Sequence, residues 1–193
     1  MKKNIDVLKI DKYMTIESVD ESGLAWLDPT KKPFKLVGFN YFEQDKVFRR
    51  FPSDPNPVLP EGVEALSNHT AGGQVKFRTD SCRIAVKVKL PSRSLMDHMP
   101  NTGNSGFDLY LGDNADNLTF AGVTRFGVDD DFYTYEFNEL EVKAMREFVL
   151  NFPLYNGVKE VSLGLEEDAS LAPPSPFADD RRIVVYGTSI AHG

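Results

Sequence analysis

"RIAVKVKL", residues 83–90, alternates strictly between apolar and polar or small side chains. Successive side chains of an extended chain point to opposite faces. Ile84, Val86, Val88 and Leu90 therefore line one side, with Ala85, Lys87 and Lys89 on the other. One face needs a core and the other accepts water, which describes a half-buried antiparallel strand. The pattern recurs outward from this stretch. In "GFDLYL" (106–111) Phe107, Leu109 and Leu111 share a face, with Asp108 and Tyr110 opposite, and "LTFAGVTRF" (118–126), "FYTYEF" (132–137) and "EVSLGL" (160–165) repeat it. Turn formers separate these runs: Gly112-Asp113-Asn114, Gly127 and Asn156-Gly157. Many short strands divided by turns predict an all-β fold, an antiparallel β-sandwich of jelly-roll-like form.

The stretch "NELEVKAMREFVLNF" (138–152) is rich in helix formers, yet "REFVLNFPLYNGVKEVSLGL" also reads as two strands around Pro153 and the Asn156-Gly157 turn. The second arm alternates cleanly, which favours a hairpin from about Arg146. One helical turn is expected in "LPEGVEAL" (59–66), where Pro60 suits a first-turn position. The chain has 193 residues, 41% of them hydrophobic, enough for one core. A formal charge of −7 disfavours general nucleic-acid or membrane-surface binding, because both need a basic face. One cysteine, Cys82, excludes an intramolecular disulfide and is read as a small core residue.

Composition changes near residue 171. "APPSPFADDRR" (172–182) is proline-rich and charged, an extended linker, and "IVVYG" beyond it is β-branched without alternation, as in a strand buried on both faces of a parallel sheet. Three units are therefore expected: a β-sandwich over 1–171, a linker over 172–182, and the first strand of an α/β domain over 183–193. In "VVYGTSIAHG" (184–193) that strand runs into a Gly187-Thr188-Ser189 turn. Such a turn lifts a serine hydroxyl out of a sheet, beside backbone N–H groups able to stabilise an oxyanion. Strand–Gly–x–Ser is common on its own, and the second glycine of the usual hydrolase elbow is missing.

"VVYGTSI" resembles the first sequence block of the SGNH (GDSL-like) esterase superfamily. "NHTAGGQVKFRTDS" (68–81), "MDHMPNTGNSGFDLY" (96–110) and "FPLYNGVKEVSLGL" (152–165) resemble the domain that precedes the catalytic part in one SGNH subgroup, named for its Gly-x-Asp-Leu-Tyr signature, here Gly106 to Tyr110. The resemblance spans most of residues 34–193. It implies that Ser189 is the nucleophile and that its own N–H is one oxyanion donor. The family's glycine, asparagine and late Asp-x-x-His pair do not occur after Ser189 here. The polypeptide as given, lacking most of the SGNH domain, is therefore expected to be inactive, with His192 a surface or pocket-rim residue.

Within the sandwich, the loop "SLMDHMPNTGNSG" (94–106) mixes methionines, Asp97, His98 and Asn104 with flexible glycines. Asp97, His98 and Asn104 are the candidate substrate-binding residues, against a simpler reading as a packed loop. Asp108 is read as a structural anchor, and His69 as part of a turn. The acidic runs 112–117 and 129–131 are read as solvated hairpin turns rather than calcium loops. Of the aromatics, Trp26, Tyr41 and Tyr133 are the ones that could stack on a sugar. No cofactor or metal is expected. The reading favoured is the N-terminal accessory domain of an SGNH-type serine esterase acting on a small-molecule or carbohydrate ester, with O-acetyl esters the leading class. The alternative is a non-catalytic carbohydrate-binding or protein-interaction module. The remaining C-terminal catalytic domain is the expected partner, and neither nucleic acid nor membrane is. The N-terminus has no signal-peptide core, so a cytoplasmic location is expected, or an extracytoplasmic one if a leader was removed.

Overall fold

A computed structural model describes residues 18–137 and 140–179, together with 181, 183–185 and 187. Ten strands form two antiparallel sheets among these residues. The first sheet has the order β1 (Leu24–Leu27), β9 (Glu160–Glu166), β4 (Ile84–Lys89), β7 (Phe132–Glu136). The second has the order β10 (Leu171–Ala172), β3 (Gln74–Thr79), β8 (Arg146–Asn151), β5 (Asp108–Gly112), β6 (Thr119–Val123), with β2 (Lys35–Val37) also paired to β3. The inward faces meet in one core. Val86, Val88 and Leu163 come from the first sheet and Val75, Phe77, Leu109, Phe148 and Leu150 from the second, all fully enclosed. Phe77 stacks on Phe148 at 5.2 Å, and Phe39, Phe48, Phe107 and Phe152 extend the aromatic cluster. Such pairs add to the area they bury because ring edges and faces carry opposite partial charge.

The strand expected at 83–90 is β4, with its apolar face inward as the alternation requires. The all-β sandwich is therefore as read. Helix α2 (Glu61–Ser67) lies where one turn was expected, with Pro60 as its N-cap, while the short α1 (Phe42–Asp45) and α3 (Asn101–Asn104) have no clear sequence signal. No helix of the described residues is long and apolar enough to cross a membrane.

Three local readings are corrected. The arms 146–151 and 160–166 are strands but not a hairpin: β8 pairs with β3 and β5, β9 with β1 and β4, and the segment between them crosses from one sheet to the other. Alternation assigns a face to a strand, not a partner. Likewise 129–131 lies in the crossing from β6 to β7, which belong to different sheets, whereas 113–118 does join the β5–β6 hairpin. Cys82 is half-buried, not a core residue, and its N–H donates to Glu166 Oε2 at 2.7 Å.

Candidate functional site

The outer face of the second sheet carries a groove of ligand size. Register places Gln74, Asn151, Asp108 and Val123 side by side on β3, β8, β5 and β6. Phe107 and Leu109 point into the core, so Asp108 between them must point out. Gln74 Nε2 donates to Asn151 Oδ1 at 2.7 Å, which leaves the Asn151 amide nitrogen to donate to the Asp108 carboxylate. Burial pushes the Asp108 carboxyl above the usual range, and the Asn151 hydrogen bond opposes that shift. The groove holds about 460 Å³, within the range of small-molecule sites. Phe120, Val123 and Leu154 give it apolar walls, and Gly72, Gly73 and Gly103 line its rim.

Local sequence explains the rim. Segment 100–106 turns through α3 and re-enters the sheet at Gly106, where a Cβ would lie 2.4 Å from the Thr102 carbonyl oxygen. Only glycine allows that approach, so the first residue of the Gly-x-Asp-Leu-Tyr signature shapes the wall and the third lies in the groove. Tyr110, the last, meets Phe120 edge-on at 5.6 Å and sets its ring.

The 94–106 candidates separate. Asp97 and His98 are exposed, with His98 Nδ1 3.0 Å from Asp97 Oδ1, beside the Met96–Met99 bridge. They do not line the groove, whereas Pro100, Thr102 and Gly103 of the same segment do. Asn104 is fully enclosed: Ser105 Oγ donates to its Oδ1 at 2.5 Å, and its backbone oxygen accepts from Tyr155 N–H at 2.9 Å. Asn156 completes the network, donating through Nδ2 to Ser105 Oγ and the Ser92 carbonyl, both at 3.0 Å. Thr70 closes it from the other side, its N–H and Oγ1 reaching the Asn156 carbonyl. This buried network fixes the segment to the inter-sheet crossing and is invisible in a sequence that marks Asn156-Gly157 only as a turn.

Of the aromatics considered for stacking, Tyr133 is buried face to face with Phe126 at 4.1 Å, and its hydroxyl lies 3.3 Å from Thr124 Oγ1. Trp26 is half-buried with Lys87 Nζ 4.0 Å from its ring, and Tyr41 is exposed, away from the groove lining. The exposed groove aromatic is Phe120, whose signal was its place opposite Tyr110 across a hairpin. Among the described residues no three His, Cys, Asp or Glu side chains converge as metal ligands.

The chain leaves the sandwich over this same face. Arg78 Nε donates to the Pro173 carbonyl at 2.8 Å, and the Ser175 N–H donates to Glu147 Oε1 at 2.7 Å. Phe177 lies beneath Lys35 Nζ, 3.8 Å from its ring centroid, and 4.8 Å from Lys76 Nζ. Residues 183–185 are exposed and outside any strand. Ser189, Tyr186 and His192 lie outside the described residues.

Comparison with known proteins bears on this arrangement. A family model described as GxDLY, the N-terminus of SGNH-hydro-type esterases, matches residues 24–171. No curated protein matches the chain. Among solved structures, a candidate GDSL-like lipase from Bacteroides ovatus superimposes with a TM-score of 0.70 at 23% identity, covering 79% of this chain. The salicylyl-acyltransferase SsfX3 from a tetracycline biosynthetic pathway superimposes with a TM-score of 0.61 at 18% identity, covering 81%. Both likenesses are of fold. The chain spans 43% of the length of each.

Proposed function

Because this chain belongs to the GxDLY family, the N-terminus of SGNH-hydro-type esterases, we propose that it is the accessory sandwich of a serine carboxylic-ester hydrolase with Ser189 as nucleophile. The observation that carries this reading is the family match over the whole sandwich, from β1 to β10. It is supported by the linker, whose residues Pro173, Ser175 and Phe177 lie over the face that bears the groove. In the proposed reaction Ser189 Oγ attacks the ester carbonyl as its proton passes to the histidine of an Asp-x-x-His pair supplied further along the polypeptide. The acyl–oxygen bond to the alcohol then breaks, with the proton returned to the leaving alcohol, and water releases the acid from the acyl-enzyme. Carbohydrate O-acetyl esters are the substrate class we favour, on the analogy of sandwich-plus-hydrolase architectures.

The test is turnover of a chromogenic acetate ester by the polypeptide carrying this chain together with the Asp-x-x-His segment. Ser189→Ala should remove activity to the background rate, a loss of several orders of magnitude. Equal turnover by the variant would refute the reading. A second reading, a sandwich that binds without catalysis, is favoured by the groove itself, since that groove is complete within the described residues. Ligand binding joined to an inactive full polypeptide would select it.

A further inference from the structure

The groove around Asp108 has a chemistry that limits its occupant. We propose that it is a binding subsite for a neutral hydroxylated ring, a pyranose, whose hydroxyls meet Asp108 and Asn151 while a C–H face rests on Phe120. The choice of a sugar as the ring rests on the sugar-ester reading above, whereas the demand for a neutral, hydroxyl-bearing, partly apolar ligand comes from the groove alone.

Four observations converge. First, the acceptor is aligned in advance. Gln74 holds Asn151 and Asn151 holds Asp108, so the carboxylate keeps one orientation with capacity to accept further hydrogen bonds. A side chain fixed in this way gives up little rotational freedom when a ligand arrives. Second, this acid is half-buried beside Asn151 of β8, where a ligand hydroxyl can donate to a carboxylate already partly removed from water. Third, Phe120 is 59% exposed on the β5–β6 hairpin, beside the register shift at Leu109–Tyr110, its ring held edge-on by Tyr110 and lining the groove with Val123 and Leu154. A pyranose presents both an apolar C–H face and a polar edge, and this groove presents the complement of both. Fourth, the groove is open at Gly72, which is exposed and where a Cβ would meet nothing within 4 Å, so a ligand can enter there without displacing a side chain.

Other classes fit less well. An anion would face Asp108 in a chain of net charge −7. A purely apolar ligand would strip water from the Asp108–Asn151 pair with no replacement, a penalty of about 1–3 kcal/mol per polar group. A quaternary ammonium could meet the carboxylate and Phe120 but has no hydroxyl to donate a hydrogen bond to Asp108.

The chain as it stands can be tested. An isotope-labelled sample is titrated with methyl β-glucopyranoside, methyl β-galactopyranoside and methyl β-xylopyranoside, and in a separate arm with tetramethylammonium, while backbone amide shifts are followed by NMR. At least one glycoside should move the amides of Gly72, Gly103, Asp108 and Asn151 and leave those of β4 and β9 in place. Asp108→Asn, nearly isosteric, should weaken that binding about tenfold, the worth of one charge-assisted hydrogen bond. Phe120→Ala, at an exposed site, should weaken it by a similar factor. Amide spectra of both variants report their folding, and if Phe120→Ala does not fold, Asp108→Asn decides. Silence of the groove amides to all three glycosides overturns the proposal. So does binding that Asp108→Asn leaves unchanged, or a response to tetramethylammonium alone. The outcome is separate from the esterase reading: glycoside binding with an inert Ser189 refutes only the latter, and Ser189-dependent turnover with a silent groove refutes only the former.

Discussion

The outer faces of the two sheets solve the same problem differently. On the first sheet, Trp26 packs against Gly164, its cross-strand partner. A Cβ at Gly164 would come within 3.0 Å of the indole, and Lys87 Nζ sits 4.0 Å from its ring. Lys87 pairs with Glu21 at 2.5 Å, and Arg83 pairs with Glu136 at 2.7 Å while reaching the Ser22 and Asp20 carbonyls. That face is covered by its own side chains. On the second sheet the cover comes from the departing linker near Glu147 and Lys76, and the remainder is an open groove with a half-buried acid. A self-covered face is built for stability. A half-buried carboxylate beside an open groove leaves hydrogen-bonding capacity that the sheet itself does not use, which is the ground of the binding proposal.

Substitutions in the core, in the groove wall and on the covered face should separate these roles. Phe77→Ala, in the core both faces share, should destabilise the domain by about 3–5 kcal/mol. Denaturant unfolding should stay a single transition, and two separated transitions would mean that the sheets are independent units. Gly106→Ala forces a Cβ against the Thr102 carbonyl and should cost about 1–3 kcal/mol. Its amide shifts should concentrate along 100–106 and the groove. Trp26→Ala uncovers the first face and should cost about 2 kcal/mol, with groove amides unmoved in the same NMR spectrum.

Asp108→Asn should have the smallest effect and the opposite sign. Burial raises the folded-state pKa of Asp108, so its contribution is fully present below the unfolded carboxylate pKa and is lost as pH rises through the folded value. The variant should therefore match the wild type in acid and melt at a higher temperature at neutral pH. Equal melting temperatures across that range would remove the burial argument.

Much of the sandwich was legible because alternation is local. "RIAVKVKL" needs no partner to declare which side is wet. Pairing is not local, and the arms on either side of Asn156-Gly157 show the cost: both were recognisable as strands, yet nothing in 146–166 says that they enter different sheets. The groove was half legible for the same reason. Alternation placed Asp108 outward, between Phe107 and Leu109, but its alignment with Gln74 and Asn151 depends on register among three strands distant in sequence. Reading Asp108 as an anchor alone therefore missed the groove around it. Asp97 and His98 drew attention by composition, while Pro100, Thr102 and Gly103 of the same segment line the groove and the enclosed Asn104 beside them is tied into a buried network that composition does not show.

The pairing of β1 with β9 has a temporal consequence. Leu24–Leu27 finds its partner only in Leu163–Glu166, at the far end of the domain. At about 5–20 residues per second of synthesis, β1 waits on the order of ten seconds before its neighbour exists. The first sheet is therefore closed by β9, the last strand of the sandwich longer than two residues among those described. Residues 172–189 follow immediately behind it, so the linker emerges onto a sandwich that has only just clasped shut.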